Sequence, residues 1–311
     1  MPSPVFSRLR SKLNQWSFAR AGAGIRQTAP LRYVADSRVT VVSMVGHDTV
    51  DMYLVAVKSF MVFFSDAGIE AIDDGTLTEE DRALIGHHLP GVHVSEARQV
   101  ATGSCPSYSS WKRLFRIAEI SRSSYVVQLD SDTLTLGAMV EVHDKAHANE
   151  GFMIGEGHWS QPVTPQHMQS MARRWRTSGP QGLLEQVLSD LGHFAPGERY
   201  LHGCAGFAGY PQGSLDPATI EDLSLRIEQK IGQPNWHRWG SEQAISNCLI
   251  SRTRNASTLP WPKYRNYMFP PTNDPYEAAG FIHFIGSHRY ADSTYCRAVT
   301  RFLARYGRLA T

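Results

Sequence analysis

Little in this chain points to an extracellular, fibrous or membrane-spanning protein. Cysteine is scarce: four in 311 residues, at positions 105, 204, 248 and 296, with no C-x-x-C pair. That excludes a zinc ribbon, a redox dithiol and a disulfide-stapled scaffold, and makes a reducing compartment the simpler setting. No apolar run is long enough to cross a bilayer. The longest, 53–64, is interrupted by Lys58 and falls well short of the roughly 20 residues a membrane helix needs. The N-terminal arginines are not followed by an apolar stretch of the kind a secretory signal requires. The expectation is a soluble, cytoplasmic protein, at most peripheral to a membrane. Net charge is small too: 31 Lys+Arg against 29 Asp+Glu leave +2, which excludes a histone-like binder and removes nucleic acid as an expected partner.

What is present reads as globular. Hydrophobic residues make up 42% and charged residues 19%, enough to bury a sizeable core in a chain of this length. The charge is unevenly spread. Residues 1–35 hold Arg8, Arg10, Lys12, Arg20, Arg26 and Arg32 and no acid, so the remainder has 25 basic against 29 acidic residues. The chain divides into a basic N-terminal extension (1–38), a main domain (39–290) with halves 39–150 and 151–290, and a basic C-terminal helix (291–311). In that helix Arg297, Arg301, Arg305 and Arg308 share one face, and Val299, Phe302, Leu303 and Tyr306 share another. Solvated faces are the plain reading of both basic ends. Contact with anionic lipid is the sharper one.

Between the ends the pattern alternates. Apolar, β-branched stretches at 39–45, 69–72, 92–94 and 125–129 read as buried strands. Helical stretches at 48–64, from 78 onward and at 109–120 separate them. This implies right-handed βαβ units and a mainly parallel sheet, whose ligands sit beyond the carboxyl ends of its strands. Asp73, Asp74, Asp130 and Asp132 fall there. After residue 152 the rhythm loosens: helix over 168–191 broken at 178–180, a glycine-rich stretch at 203–213 where backbone can approach a ligand, helices at 217–231 and 241–251, a proline- and aromatic-rich loop at 258–276, and a strand at 281–284.

The chemistry centres on Asp130-Ser131-Asp132, directly after the fourth strand. Two carboxylates spaced i, i+2 can hold one hard divalent cation, which usually keeps phosphate oxygens in its shell. Alone, D-x-D arises readily by chance and reads equally as a solvated turn, so the surrounding segments must supply specificity. Four of them, in order, resemble the GT-A nucleotide-sugar glycosyltransferases, family 8 in particular, the glycogenin and lipopolysaccharide galactosyltransferase type. Trp111-Lys-Arg113-Leu-Phe115 is similar to its aromatic-x-Arg-Leu helix, and Leu129-Asp130-Ser131-Asp132 to its metal motif. Glu242-Gln243-Ala244-x-x-Asn247 is similar to its D-Q-D-x-x-N helix, and His283-x-x-Gly286-x-His288-Arg289 to its H-x-x-G-x-K segment.

The resemblance implies a single large α/β domain with a mixed, mainly parallel GT-A-like sheet flanked by helices. It implies a Mn²⁺- or Mg²⁺-dependent transfer from a nucleotide sugar, UDP-sugar by expectation, to an acceptor hydroxyl with retention. It assigns Asp130, Asp132 and His283 to the metal. Val45, Asp73, Asp74, Arg113, Asp130, Ser131, Gly286, His288 and Arg289 go to the donor, and Glu242 and Gln243 to the reacting sugar. An inverting enzyme would instead need a base, for which Glu156 or Glu242 would serve. Trp159, Trp236, Trp239 and Trp261 are candidates for stacking on an acceptor glycan, or for ordinary packing.

The departures are specific. Cys204-Ala205-Gly206 stands where the family has Asn-x-Gly, Ala244 replaces the second acid of D-Q-D, and Arg289 is displaced by one position from the family's lysine. They leave a second reading open, a degenerate GT-A-like module that binds sugar or nucleotide without turnover. A pyrophosphorylase, a dinucleotide-binding dehydrogenase and a P-loop enzyme are disfavoured: no glycine-rich signature follows the first strand.

Overall fold

The computed structural model describes residues 4–271, 274, 276–286 and 288–309, with side chains from 8 to 306. Ser287 and the side chain of Arg308 lie outside the described residues. The strands are β1 (Val39–Val45), β2 (Gly68–Asp73), β3 (His93–Glu96), β4 (Tyr125–Leu129), β5 (Thr133–Thr135), β6 (Phe152–Ile154), β7 (Cys204–Tyr210), β8 (Ser257–Leu259), β9 (Tyr264–Asn266) and β10 (Phe281–His283). The helices are α1 (Pro4–Gly22), α2 (Val50–Met61), α3 (Glu79–His88), α4 (Ser109–Ser121), α5 (Val140–Ala148), α6 (Pro165–Ala172), α7 (Pro180–Glu185), α8 (Pro217–Ile231), α9 (Gln233–Trp236), α10 (Ser241–Ser251) and α11 (Thr294–Leu309).

Seven strands form one sheet in the order β3-β2-β1-β4-β7-β6-β8. Only β7 runs against its neighbours. Helices cover both faces, as the βαβ rhythm requires, and the chain forms one mixed, mainly parallel α/β domain. Val41, Val42, Val126 and Val127 are fully buried, the outcome expected for strands with helices on both sides. Thr78 starts α3 with a side chain that accepts from the Asp81 amide, and Asp216 caps α8 with Pro217 in its first turn, both sequence-legible starts.

A second, three-stranded sheet, β5-β10-β9, carries the last described strand back to the Asp130–Asp132 turn. Helix α2 is buried from Met52 to Met61, which explains its long apolar run. The one charge in the run 53–64, Lys58, is fully buried. Its ammonium donates to Thr28 Oγ1 (2.8 Å) and the Ala29 carbonyl (2.7 Å), and meets His88 Nδ1 at 2.9 Å. Residues 4–22 are helical, and Phe18 packs its ring against Tyr295 of α11 with centroids 4.4 Å apart.

Two stretches differ from the sequence expectation. The glycine-rich 203–213 contains a central strand, β7, rather than a ligand loop alone. Its glycines are there for packing: a Cβ on Gly209 would come within 2.2 Å of the Tyr125 hydroxyl and 2.4 Å of the Phe152 ring. The stretch read as loop at 258–276 contains β8 in part and all of β9, short strands that propensity could not separate from their proline-rich surroundings. All four cysteines are free. No helix among the described residues is long and apolar enough to cross a membrane.

Candidate active site

The Asp130-Ser131-Asp132 turn is pinned from three strands. The Asp130 amide donates to the Gly206 carbonyl of β7 (2.8 Å), Ser131 Oγ donates to the Met44 carbonyl of β1 (2.9 Å), and the Phe284 amide, just after β10, donates to the Asp132 carbonyl (2.8 Å). Antiparallel pairing of β10 with β5 sets His283 opposite Thr133. A residue 151 positions downstream is thereby placed beside the aspartates (283 − 132). His283 Nε2 lies 3.2 Å from Asp132 Oδ1 and 3.9 Å from Asp130 Oδ2, and one ligand atom from each of the three residues lies within 4.8 Å of the others.

The donor set fits a divalent cation. His283 Nδ1 is 3.0 Å from Asn266 Oδ1. A proton held there leaves the Nε2 lone pair facing the carboxylates, the tautomer that outer partners of a metal-bound imidazole enforce. Two carboxylates with one imidazole suit the first-row ions and magnesium.

Electrostatics hold the cluster together without an ion. Burial pushes the Asp132 carboxyl up, but His283 and Arg289 outweigh it and hold the group below its ordinary value. For His283 burial acts to lower the pKa, and the adjacent Asp132 reverses this, raising it well above the usual imidazole range. Arg289 Nη2 sits 2.7 Å from Asp132 Oδ2 and Arg113 Nη1 2.5 Å from Asp130 Oδ1, so each carboxylate has its own guanidinium. Arg289 therefore reaches the cluster although its place in the sequence is shifted.

Gly206 makes room for the histidine. A Cβ there would lie 2.3 Å from His283 Cε1, and the strand backbone behind it cannot retreat. Gly206→Ala is expected to push the ring out of register with Asp132, to weaken cation binding by at least about tenfold, and to cost about 1–3 kcal/mol of stability as overpacking does. Titration of Mn²⁺ against both proteins checks this.

The cluster lies in a cleft of about 510 Å³ at the carboxyl ends of β1 and β4. Asp74, Arg113, Asp130, Ser131, Asp132, Glu242, Gln243, His283, Gly286 and Arg289 line it together. Glu242, at the start of α10, takes a short hydrogen bond from the Tyr108 hydroxyl. That hydroxyl also accepts from the Ser241 (3.0 Å) and Glu242 (3.3 Å) amides, and Tyr108 titrates above its ordinary range because of burial and then the Glu242 charge. Gln243 donates to Gln181 Oε1 (2.9 Å) and its own Oε1 faces Cys204 Sγ at 3.6 Å.

Three residues expected at the donor sit outside the lining. Val45 is buried and turns its carbonyl to the Asp74 amide (3.0 Å); its neighbours Met44 and Gly46 line the cleft instead. Asp73 is consumed by its own turn, accepting from the Gly75 (2.7 Å) and Leu77 (3.2 Å) amides and pairing with Arg82. His288 turns away, with Nδ1 accepting from the Phe269 amide at 3.0 Å. Asn247 is buried and donates to the Gly203 carbonyl (3.2 Å). Glu156 pairs with His158 (3.6 Å) away from the lining.

Of the tryptophans, Trp236 is fully buried and donates to Ser224 Oγ (2.8 Å), and Trp159 packs on His202 with centroids 4.7 Å apart. Trp261 is exposed away from the lining. Trp239 alone of the four lines the cleft, 71% exposed, with its ring 5.4 Å from Tyr108. Sequence reasoning missed Tyr108 and Asn266, which hydrogen-bond to Glu242 and His283. Neither carries a local signal, since each partner is more than 15 residues away in the chain.

This architecture is the GT-A fold. The bifunctional glycosyltransferase WbbM in its apo form superposes with a TM-score of 0.55 at 16% identity, over 90% of this chain and 53% of WbbM, so the chain spans about half of that protein. The galactosyltransferase LgtC, solved with donor and acceptor sugar analogues, superposes with a TM-score of 0.50 at 15% identity, over 87% of this chain and 95% of LgtC. An active-site mutant of LgtC gives 0.50 at 14% identity, over 85% and 95%. No protein-family model and no curated protein matches the sequence.

Proposed function

We propose that the protein is a metal-dependent glycosyltransferase that moves a sugar from a nucleotide sugar, a UDP-sugar by preference, to an acceptor hydroxyl with retention of configuration. The observation that carries this is the convergence of Asp130, Asp132 and His283 at the strand ends of a GT-A fold, inside one cleft and each backed by a fixed partner. Asp130, Asp132 and His283 would hold the ion, manganese in preference to magnesium because one donor is an imidazole. When bound, it supplies Lewis acidity toward the diphosphate leaving group.

The chain's own residues do the rest. Arg113 and Arg289 add fixed positive charge where the leaving group's charge grows, preorganised by the carboxylates they already hold. Asp74 stands at the mouth of β1, where a Cβ on Gly46 would come within 2.2 Å of its Oδ2, and accepts hydrogen bonds from the donor's ribose or base. Glu242, oriented by Tyr108, and Gln243, oriented by Gln181, position the reacting sugar and stabilise positive charge at its anomeric carbon; neither acts as a covalent nucleophile. Residues 39–150 serve the nucleotide and 151–290 the acceptor.

The test is release of UDP from a panel of UDP-sugars with Mn²⁺ and mixed glycan acceptors, after calorimetry of UDP with and without the ion. Metal-dependent binding followed by release is expected. Absence of metal-dependent UDP binding would end this reading, and binding with no release from any donor would make the protein a nucleotide-sugar-binding module.

A further inference from the structure

Helix α1 is apolar on both sides, and only one side is accounted for. The inner side is packed: Phe18 is 4% exposed and stacks on Tyr295, and Asn14 Nδ2 donates to the Tyr290 carbonyl at 3.0 Å. At about 100° per residue, Leu9, Leu13 and Trp16 fall in one narrow stripe about opposite Phe18. They are 56%, 58% and 63% exposed, three of the largest exposed apolar side chains on the molecule, at i, i+4 and i+7. A surface that soluble proteins normally keep polar is here continuous hydrocarbon along nearly two turns.

The charge around the stripe selects what covers it. Helix α1 contains Arg8, Arg10, Lys12 and Arg20 and no acid, and the Arg20 guanidinium lies 5.9 Å from the Trp16 ring. A second copy of the chain would bring the same cations face to face. An anionic bilayer surface complements both features: headgroups meet the Arg and Lys side chains, Leu9 and Leu13 enter the acyl boundary, and indole favours the interface. Helix α11, the other basic segment, lacks such a stripe among its described residues. Its Val299, Phe302 and Tyr306 are buried in the core, Arg297 is tied to Ser293 and Thr294, and Arg301 lies 5.2 Å over the Tyr276 ring.

We infer that α1 is an in-plane membrane anchor that docks the protein on an anionic lipid surface through Leu9, Leu13 and Trp16. The inference rests on α1 alone and is independent of the donor chemistry.

The experiment is co-sedimentation of the full chain with vesicles of phosphatidylcholine, with and without phosphatidylglycerol, at low and high salt. Wild type is expected to pellet with the anionic vesicles and to weaken as salt rises. Leu13→Ser with Trp16→Ser should cut that binding by at least about tenfold, and Lys12→Glu with Arg20→Glu should cut it similarly. Circular dichroism and metal-dependent UDP affinity should stay at wild-type values in both variants, which separates this result from any failure of the donor reading. Equal pelleting on neutral vesicles, no pelleting at all, or binding untouched by the serine changes overturns the proposal. So does a wild-type dimer that the serine changes dissociate, because the stripe would then belong to a second copy.

Discussion

Asp132→Ala is expected to abolish Mn²⁺-dependent UDP binding while leaving a weak, metal-independent affinity. The carboxylate is 6% exposed and held between two cations: His283 at 3.2 Å from Oδ1 and Arg289 at 2.7 Å from Oδ2. Its loss does two things to an incoming ion. One of three protein ligands disappears, and the Arg289 charge that Asp132 neutralised remains, repelling the ion in a site with little solvent screening. Loss of a mere outer partner of a metal site costs about 10–100-fold in affinity, so loss of a ligand with added repulsion should exceed that upper figure. The same stranded guanidinium still attracts a diphosphate, so UDP alone should keep some affinity. The decisive quantity is the ratio of UDP affinities with and without Mn²⁺, which should collapse to about one. Asp132→Asn keeps the shape, and a near-native melting curve with the same collapse would separate charge from packing. An unchanged ratio would place the ion elsewhere.

The β1–β4 side of this cleft was legible because it is written in strand ends. Buried β-branched stretches announce β1 and β4, and the residues just past them must sit at the sheet's carboxyl edge. That placed Asp73, Asp74, Asp130 and Asp132 at the edge, and the likeness of segments singled out Asp130 and Asp132 for a metal. His283 follows only from pairing of β10 with β5 across the molecule, which the likeness of segments supplied and periodicity could not. Strand β7 escaped for a physical reason. Its Cys-Ala-Gly-Phe-Ala-Gly-Tyr sequence lacks β-branched residues, and its small side chains are demanded by the rings of His283, Tyr125 and Phe152 rather than by strand propensity. Asp73 lies outside the cleft lining because a carboxylate at a strand end can serve its own turn as well as a ligand. Arg82, nine residues on along α3, decides which.

Acidification from pH 6.5 toward 4 is expected to remove a large share of the folding stability, through two histidines far from the cleft. His88 is fully buried beside the Lys58 ammonium, and its Nε2 has no partner. Burial, then the Lys58 charge, lowers its pKa from 6.5 to about 4. His193 is buried with Nε2 facing the Cys248 carbonyl at 3.3 Å, and burial lowers it likewise to about 4. Between those values the unfolded chain binds protons that the folded chain refuses, so stability is fully present above 6.5 and drains as pH falls through the window. At roughly 1.4 kcal/mol per pH unit, each site contributes on the order of 3 kcal/mol. His47 and His283 shift the other way. They are protonated in both states over most of this window and so add little to its slope, and the lowered carboxylates begin to act only at its acid end, near 4.5. Urea midpoints measured from pH 7 to 4.5 should therefore fall steeply, and His88→Gln or His193→Gln should each flatten the fall by about half. If the double variant kept the wild-type slope, carboxylates rather than these imidazoles would have to carry the acid sensitivity.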